Sequence, residues 1–342
     1  MDAQLWHDYC TMQPPAEPQP VTVRQWKVMT RQQRAAHIDH LTEWLQSLFL
    51  PTGDVVAIYD SADNIVRINK LTPPGAKSLP ALSGPNYAGK STMMMRWARE
   101  KYLAWIADAE LDPYGRPIIR PKPGWEVDLD PVVWIDLDAA AQIKDVDAAI
   151  LGFFNLSAEG AKRDISMAAM DAVRRHRTQI VIIDDVHLLK TNWKSGRDVL
   201  DHIKHLNTRL GQIGVTLVLI GADLEARDLV HDSQIAARLR LNRFGPYEID
   251  DLDADRIGWQ VIVRDFEKLL LPHLPRSRPN ELHTKLAAEL YHRTQGYLGD
   301  LKALLCEATI GAITDGTHRI LLRHLNVVML SKRAEEQRLV PS

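Results

Sequence analysis

The chain has 342 residues, 45% of them apolar, enough for a large domain with smaller attachments. A formal net charge of −2 excludes a molecule drawn as a whole onto nucleic acid or anionic membrane, so any DNA contact must be a local patch. Cys10 and Cys306 match no metal or redox spacing, and there is neither a basic-flanked apolar leader nor an 18-residue uncharged apolar run, which points to the cytoplasm and to no membrane partner.

Residues 1–29 carry Pro14, Pro15, Pro18 and Pro20 among polar neighbours, which predicts a flexible arm that orders only on a partner. Residues 30–77 are expected to hold an N-terminal helix and a hairpin. The helix starts at Thr30, where Thr30-x-x-Gln33 suits a capping box and Ala35, Ile38, Leu41, Leu45 and Leu48 recur at helical spacing. The runs VVAIYD (55–60) and NIVRINKL (64–71), joined by Ser61-Ala62-Asp63, read as paired strands, and Pro73, Pro74 and Gly75 end them.

Residues 78–246 alternate apolar strands with helices. LPALSG is followed by a helix at 90–108, VVWIDL (132–137) by one near 144–155, and IVIID (180–184) by one near 195–211, before VTLVLIG (215–221). That alternation predicts an α/β fold, a parallel sheet covered by helices on both faces. Five prolines between 111 and 131 (113, 117, 121, 123, 131) exclude regular helix and central strand there, leaving an insertion that is a partner loop or a tether. From 247 to 333 helical periodicity takes over, at about 250–271, 279–295, 298–314 and 319–333, predicting a small all-helical lid before a tail at 334–342.

Chemistry concentrates at SGPNYAGKST. Gly84-Pro85-Asn86-Tyr87-Ala88-Gly89-Lys90-Ser91, followed by Thr92, satisfies the phosphate-loop pattern G-x-x-x-x-G-K-[ST], which a random chain of this length matches about one time in a hundred. Glycines let backbone N–H groups curl around phosphates, the following helix points its N-terminal dipole at them, and Lys90 reaches the outer oxygens. Ser91 is then placed to ligate Mg²⁺. A second apolar strand ending in acid completes such a site, and Ile180-Val-Ile-Ile-Asp184-Asp185 supplies it 94 residues beyond Lys90. Asp184 is expected at the Mg²⁺ shell and Asp185 beside the attacking water of ATP hydrolysis. The pairs His37/His40 and His202/His205 lack a third ligand and read as structural.

Four stretches, SGPNYAGKST, VIIDDVHLL, LVLIGADLEARDLVHDSQIAARL and GYLGDLKALLCEATIGAITDG, resemble AAA+ P-loop NTPases and, more narrowly, the TniB/TnsC (Mu B-like) transposition regulators. The resemblance spans about 78 to 333. It implies that an arginine near the end of the core enters a neighbour's nucleotide site. Arg238 matches best, with Arg240 and Arg243 as alternatives, and a guanidinium suits charge spreading over a transferred phosphoryl group. It also puts Lys302 at a lid sensor position contacting nucleotide, and Lys190, Lys194 and Arg197 where relatives line a DNA channel through phosphate contacts blind to sequence.

Two departures bear on rate. Asp185 stands where most AAA+ proteins have Glu, which withdraws the base by about one carbon–carbon bond. The strand before Gly221-Ala222-Asp223 also ends without the family's polar Asn or Thr. The expected function is an ATP-dependent regulator of DNA transposition: copies form a ring or filament on double-stranded DNA, recruit a transposase and possibly a target-selection protein, and disassemble on slow hydrolysis. A nucleotide switch in signalling or defence, binding protein partners without DNA, is the alternative.

Overall fold

Strand β1 (Leu79–Gly84) leads into the glycine loop, and three short strands follow its helix: β2 (Glu110–Leu111), β3 (Pro117–Lys122) and β4 (Trp125–Asp128). Then come β5 (Val132–Asp136), β6 (Ile180–Asp184), β7 (Thr216–Ala222) and β8 (Leu239–Arg243). The computed structural model describes residues 1–137, 143–188, 196–226, 228–249 and 253–338. The chain divides into two units, Met1–Met12 with Gly53–Phe244 and Gln13–Thr52 with Gly245–Ser342.

In the first unit the sheet runs β5-β6-β7-β1-β8 with every pair parallel. Its strands are buried on both faces, so β6 and β7 read as unbroken apolar runs. Register aligns the carboxyl ends: Gly84 pairs with Ala222, and Asp136 with Asp184. Because β7 lies between β1 and β6, the strand order reverses beside β1, and the carboxyl edge at such a point is the usual ligand position in sheets of this kind. Helices Lys90–Ile106, Ile143–Phe153, Lys162–Arg175 and Gly196–Gln212 make the crossovers, of which Lys162–Arg175 was not anticipated.

Three expectations need correction. Residues 55–71 are one helix, Gly53–Leu71, and no hairpin. Its buried residues Val55, Ile58, Ala62, Ile65, Val66 and Asn69 recur at helical spacing, and that packing overrides the strand preference of Val and Ile. Tyr59 donates to the Met93 carbonyl at 2.6 Å and Trp97 to Asp63 at 2.8 Å, locking this helix to the one after the glycine loop. The 1–29 arm is ordered within the chain itself. Helix Ala3–Thr11 buries Trp6, stacked on Trp134 at 5.9 Å, and His7 bonds Tyr102 at 2.8 Å. Helix Val23–Val28 starts at a Thr22/Gln25 capping box. A few large side chains supply the burial that average composition did not show. Finally, most of 111–131 belongs to a separate antiparallel sheet, β2-β3-β4, which ends at Asp128, and is neither loop nor tether. Arg116 pairs with Asp128 of β4 (3.2 Å) and ties the sheet to fully buried Asp130 (3.3 Å), which also meets His176 at 3.1 Å.

The second unit is helical. The Thr30/Gln33 capping box is present, and Leu41, Trp44 and Leu45 of Arg31–Ser47 share a core with Trp259, Phe266, Leu290, Leu301 and Leu305. That helix therefore belongs with the C-terminal helices, which divides the expected 30–77 segment at Thr52. The C-terminal helices are Asp253–Leu270, Ala287–Thr294 (entered by a π turn, Leu282–Leu286), Leu298–Thr314, Leu322–Val327 and Lys332–Arg338. Buried Arg293 satisfies the chain between the last two by donating to the carbonyls of Leu325 and, at 2.7 Å, Val328. Among the described residues no helix is long and apolar enough to cross a membrane.

Candidate nucleotide site

The loop between β1 and helix Lys90–Ile106 is shaped by two glycines for different reasons. A Cβ on Gly84 would stand 1.8 Å from the Phe244 carbonyl oxygen, so only glycine lets the chain leave β1 beside β8. Gly89 holds φ +95°, the left-handed region, and turns the loop into the helix. Between them Asn86 and Tyr87 are exposed and Ala88 is buried. Ser83, before the first glycine, accepts the Leu224 N–H at 2.9 Å and donates to Glu225.

Lys90 is only 8% exposed, and its ammonium donates to the Gly84 and Pro85 carbonyls, each at 2.8 Å. Burial pulls its pKa down, while Asp184, Asp185 and Asp223 oppose that shift. The lysine therefore faces acids from the ends of two neighbouring strands, held by the loop it closes.

Asp184 is 3% exposed, and burial pushes its carboxyl up to about 6 against hydrogen bonds from Ser91 and the Asp185 N–H, the latter at 2.8 Å. A buried carboxylate beside a hydroxyl is an oxygen-only donor pair, the chemistry a hard divalent cation prefers. Asp185 has φ +53°, which turns its half-exposed carboxylate off the strand line. His187 stands 3.8 Å from that carboxylate, and its Nδ1 accepts the Ala222 N–H at 3.2 Å, so the turn after β6 is clipped to the end of β7.

Spacing along the chain pointed to the glycine loop, Lys90, Ser91, Asp184 and Asp185, and the sheet brings them to one edge. Asp223, just beyond β7, has φ +46° and opposes the downward shift of Lys90. His187, Ser83 and Glu225 carried no spacing signal, because their contacts depend on strand order.

The three arginines differ in surroundings. Arg238 is exposed and donates to the Gln234 carbonyl of its own turn at 2.9 Å. Arg240 reaches the Leu239 carbonyl at 3.2 Å. Arg243 is held by Glu225 at 2.6 Å. In the second unit Lys302 donates to the Gln46 carbonyl at 2.5 Å. Lys190 and Lys194 lie outside the described residues, and of Arg197 only the backbone, within helix Gly196–Gln212, is described.

A family model described as Bacterial TniB protein matches residues 59–249. No curated protein matches the sequence. Among solved structures, the Aeropyrum pernix ORC2 protein in ADPNP and ADP complexes is 13% identical with a TM-score of 0.53, over 85% of this chain and 69% of its own. Drosophila ORC bound to DNA is 12% identical with a TM-score of 0.52, over 94% of this chain and 72% of its own. At such identities the likeness shows the fold alone, that of AAA+ P-loop ATPases.

Proposed function

Because this chain belongs to the TniB family and has the AAA+ ATPase fold, we propose that it is an ATP-dependent regulator of DNA transposition. The observation that carries the reading is the carboxyl edge of the sheet, where the glycine loop, Lys90, Ser91, Asp184 and Asp185 converge.

ATP phosphates lie in the cradle of Gly84, Pro85, Asn86, Tyr87, Ala88, Gly89, Lys90, Ser91 and Thr92, against the backbone N–H groups that open helix Lys90–Ile106. Lys90 exchanges the Gly84 and Pro85 carbonyls for phosphate oxygens, so binding replaces two existing hydrogen bonds instead of ordering a free side chain. Ser91 and Asp184 fit Mg²⁺, which supplies charge neutralisation on the phosphates when bound. Asp185 orients and deprotonates the attacking water; its short side chain leaves it further from that water than a glutamate, so hydrolysis is slow and binding sets the state.

Arg238, exposed on a turn and bonded to its own backbone, reaches the nucleotide of a neighbouring copy and makes hydrolysis depend on assembly. Lys190, Lys194 and Arg197 contact backbone phosphates of double-stranded DNA, around which copies assemble as a ring or filament that recruits a transposase.

Electron microscopy of the protein with plasmid DNA and a non-hydrolysable ATP analogue tests this. Coated DNA that is lost in Lys90→Ala is expected; monomers that never coat DNA with nucleotide present would reject it.

A further inference from the structure

The pairing of β6 with β7 stops at Ile183 and Leu219, while β7 continues to Ala222. A backbone N–H beyond the end of its partner strand needs another acceptor. Ala222 is 3% exposed, and its N–H finds one in Nδ1 of His187, at 3.2 Å, within the 3-10 turn Val186–Leu188 that takes the place of strand there. Gly221 makes room for that turn: a Cβ on it would stand 3.2 Å from the His187 backbone nitrogen and 3.0 Å from a Val186 methyl.

The same imidazole links two strained turns. Asp185, at φ +53°, follows β6 and Asp223, at φ +46°, follows β7, both in the left-handed region that non-glycine residues seldom occupy unless their surroundings hold them there. Asp223 directly follows the residue whose N–H His187 accepts, and one Asp185 carboxylate oxygen is 3.8 Å from Nδ1. Because Nδ1 accepts the Ala222 N–H, the ring proton is on Nε2, and Nδ1 has none to give to Asp185. The ring therefore borders the half-exposed carboxylate, excludes the rotamers that would cross it, and takes none of its lone pairs.

We infer that His187 is a positioning residue for ATP hydrolysis. By tying the turn that carries Asp185 to the end of β7, it holds that carboxylate against the attacking water and leaves it able to take the water's proton as the water oxygen bonds the γ-phosphorus and ADP leaves. Chemistry of this kind is steep in distance, a displacement of about 1 Å costing up to about 100-fold in rate. Phosphate binding depends instead on the glycine loop and Lys90, whose bonds to the Gly84 and Pro85 carbonyls do not involve the ring. Loss of His187 therefore falls on turnover and not on affinity. The inference rests on the reading of Asp185 as the group beside the attacking water.

The test is steady-state ATP hydrolysis by the full chain, well below its melting temperature, in His187→Leu, His187→Asn, Asp185→Ala and the His187→Leu/Asp185→Ala double variant. Melting temperature and binding of a fluorescent ATP analogue are measured alongside. His187→Leu, which has no acceptor, is expected to lower kcat about 10- to 100-fold with KM and analogue binding near wild type. In His187→Asn the amide oxygen takes the place of Nδ1 and is expected to restore most of the rate. Added to Asp185→Ala, the His187→Leu change should cost no further turnover, because it acts through that carboxylate. A wild-type kcat in His187→Leu, whose only defect is then a lower melting temperature, gives the ring a structural role and overturns the inference. So does a His187→Asn protein as slow as His187→Leu, or a double variant slower than Asp185→Ala by the full His187→Leu factor. If His187→Leu does not fold, His187→Gln, whose amide reaches the Nε2 position and leaves that of Nδ1 empty, takes its place, and a wild-type kcat there overturns the inference. Asp185→Ala turning over at the wild-type rate sinks the Asp185 reading and the inference together, whereas a fall in Asp185→Ala with none in His187→Leu sinks the inference alone.

Discussion

Asp184→Asn is expected to stabilise the nucleotide-free protein while disabling it. The wild-type carboxyl is 3% exposed and pushed by burial from its usual 3.8 to about 6, so holding it ionised at pH 8 costs about 3 kcal/mol relative to the unfolded chain. Asparagine fills the same space, still accepts the Asp185 N–H through its oxygen, and carries no charge to desolvate. Part of the gain is lost because Lys90, itself buried, loses the acid that most opposes its own downward shift. A net gain of about 1.5–3 kcal/mol remains, worth roughly 3–10 °C in melting temperature for a unit of this size. The sign has a pH signature. A raised carboxyl gives stability that is complete below 3.8 and lost as pH rises through 6, so the variant's advantage is full at pH 8 and disappears by about pH 4. Urea unfolding of both proteins at intervals from pH 8 to pH 4, without nucleotide, measures this directly. A variant that is less stable at pH 8, or an advantage that does not change with pH, would refute the claim that burial outweighs the hydrogen bonds at Asp184.

Gly84→Ala forces the Phe244 carbonyl away from β1 and should destabilise the first unit by about 2–4 kcal/mol, so an unchanged melting temperature would exclude the close approach. Trp6→Ala empties a fully buried stack on Trp134 and should cost about 3–5 kcal/mol, whereas Trp6→Phe should cost under about 1.5 kcal/mol because the lost indole N–H has no partner. Equal losses for the two, measured by urea unfolding, would show that the N-terminal helix is not held by that ring. Asp185→Glu extends the carboxylate toward the water position and should raise kcat for ATP hydrolysis up to about tenfold with little change in KM. A fall in kcat would show that the turn at φ +53° is fitted to the shorter side chain.

The parts legible in the sequence are those whose function rests on their own backbone or on burial from both sides. The glycine loop must have its glycines at fixed spacing, and strands covered on two faces must be continuous apolar runs, so β1, β5, β6 and β7 with the loop were all readable in order. In residues 55–71, β-branched residues around Ser61-Ala62-Asp63 imitate a hairpin, and only the partner surface, Met93 and Trp97, shows that one helical face is buried. Average composition likewise hid an ordered N-terminus whose stability comes from one tryptophan meeting another far along the chain. The Ser83, Glu225 and Arg243 chain shows where sequence reading stops. Ser83 donates to Glu225, which holds Arg243, and these residues meet because β1 sits between β7 and β8. An arginine that looked free to reach a neighbouring copy is therefore held by an acid bonded to the residue before Gly84. That pairing leaves Arg238 and Arg240, each bonded only to backbone carbonyls of its own stretch, as the two arginines that can move to a second nucleotide site without breaking an ion pair at the base of the first.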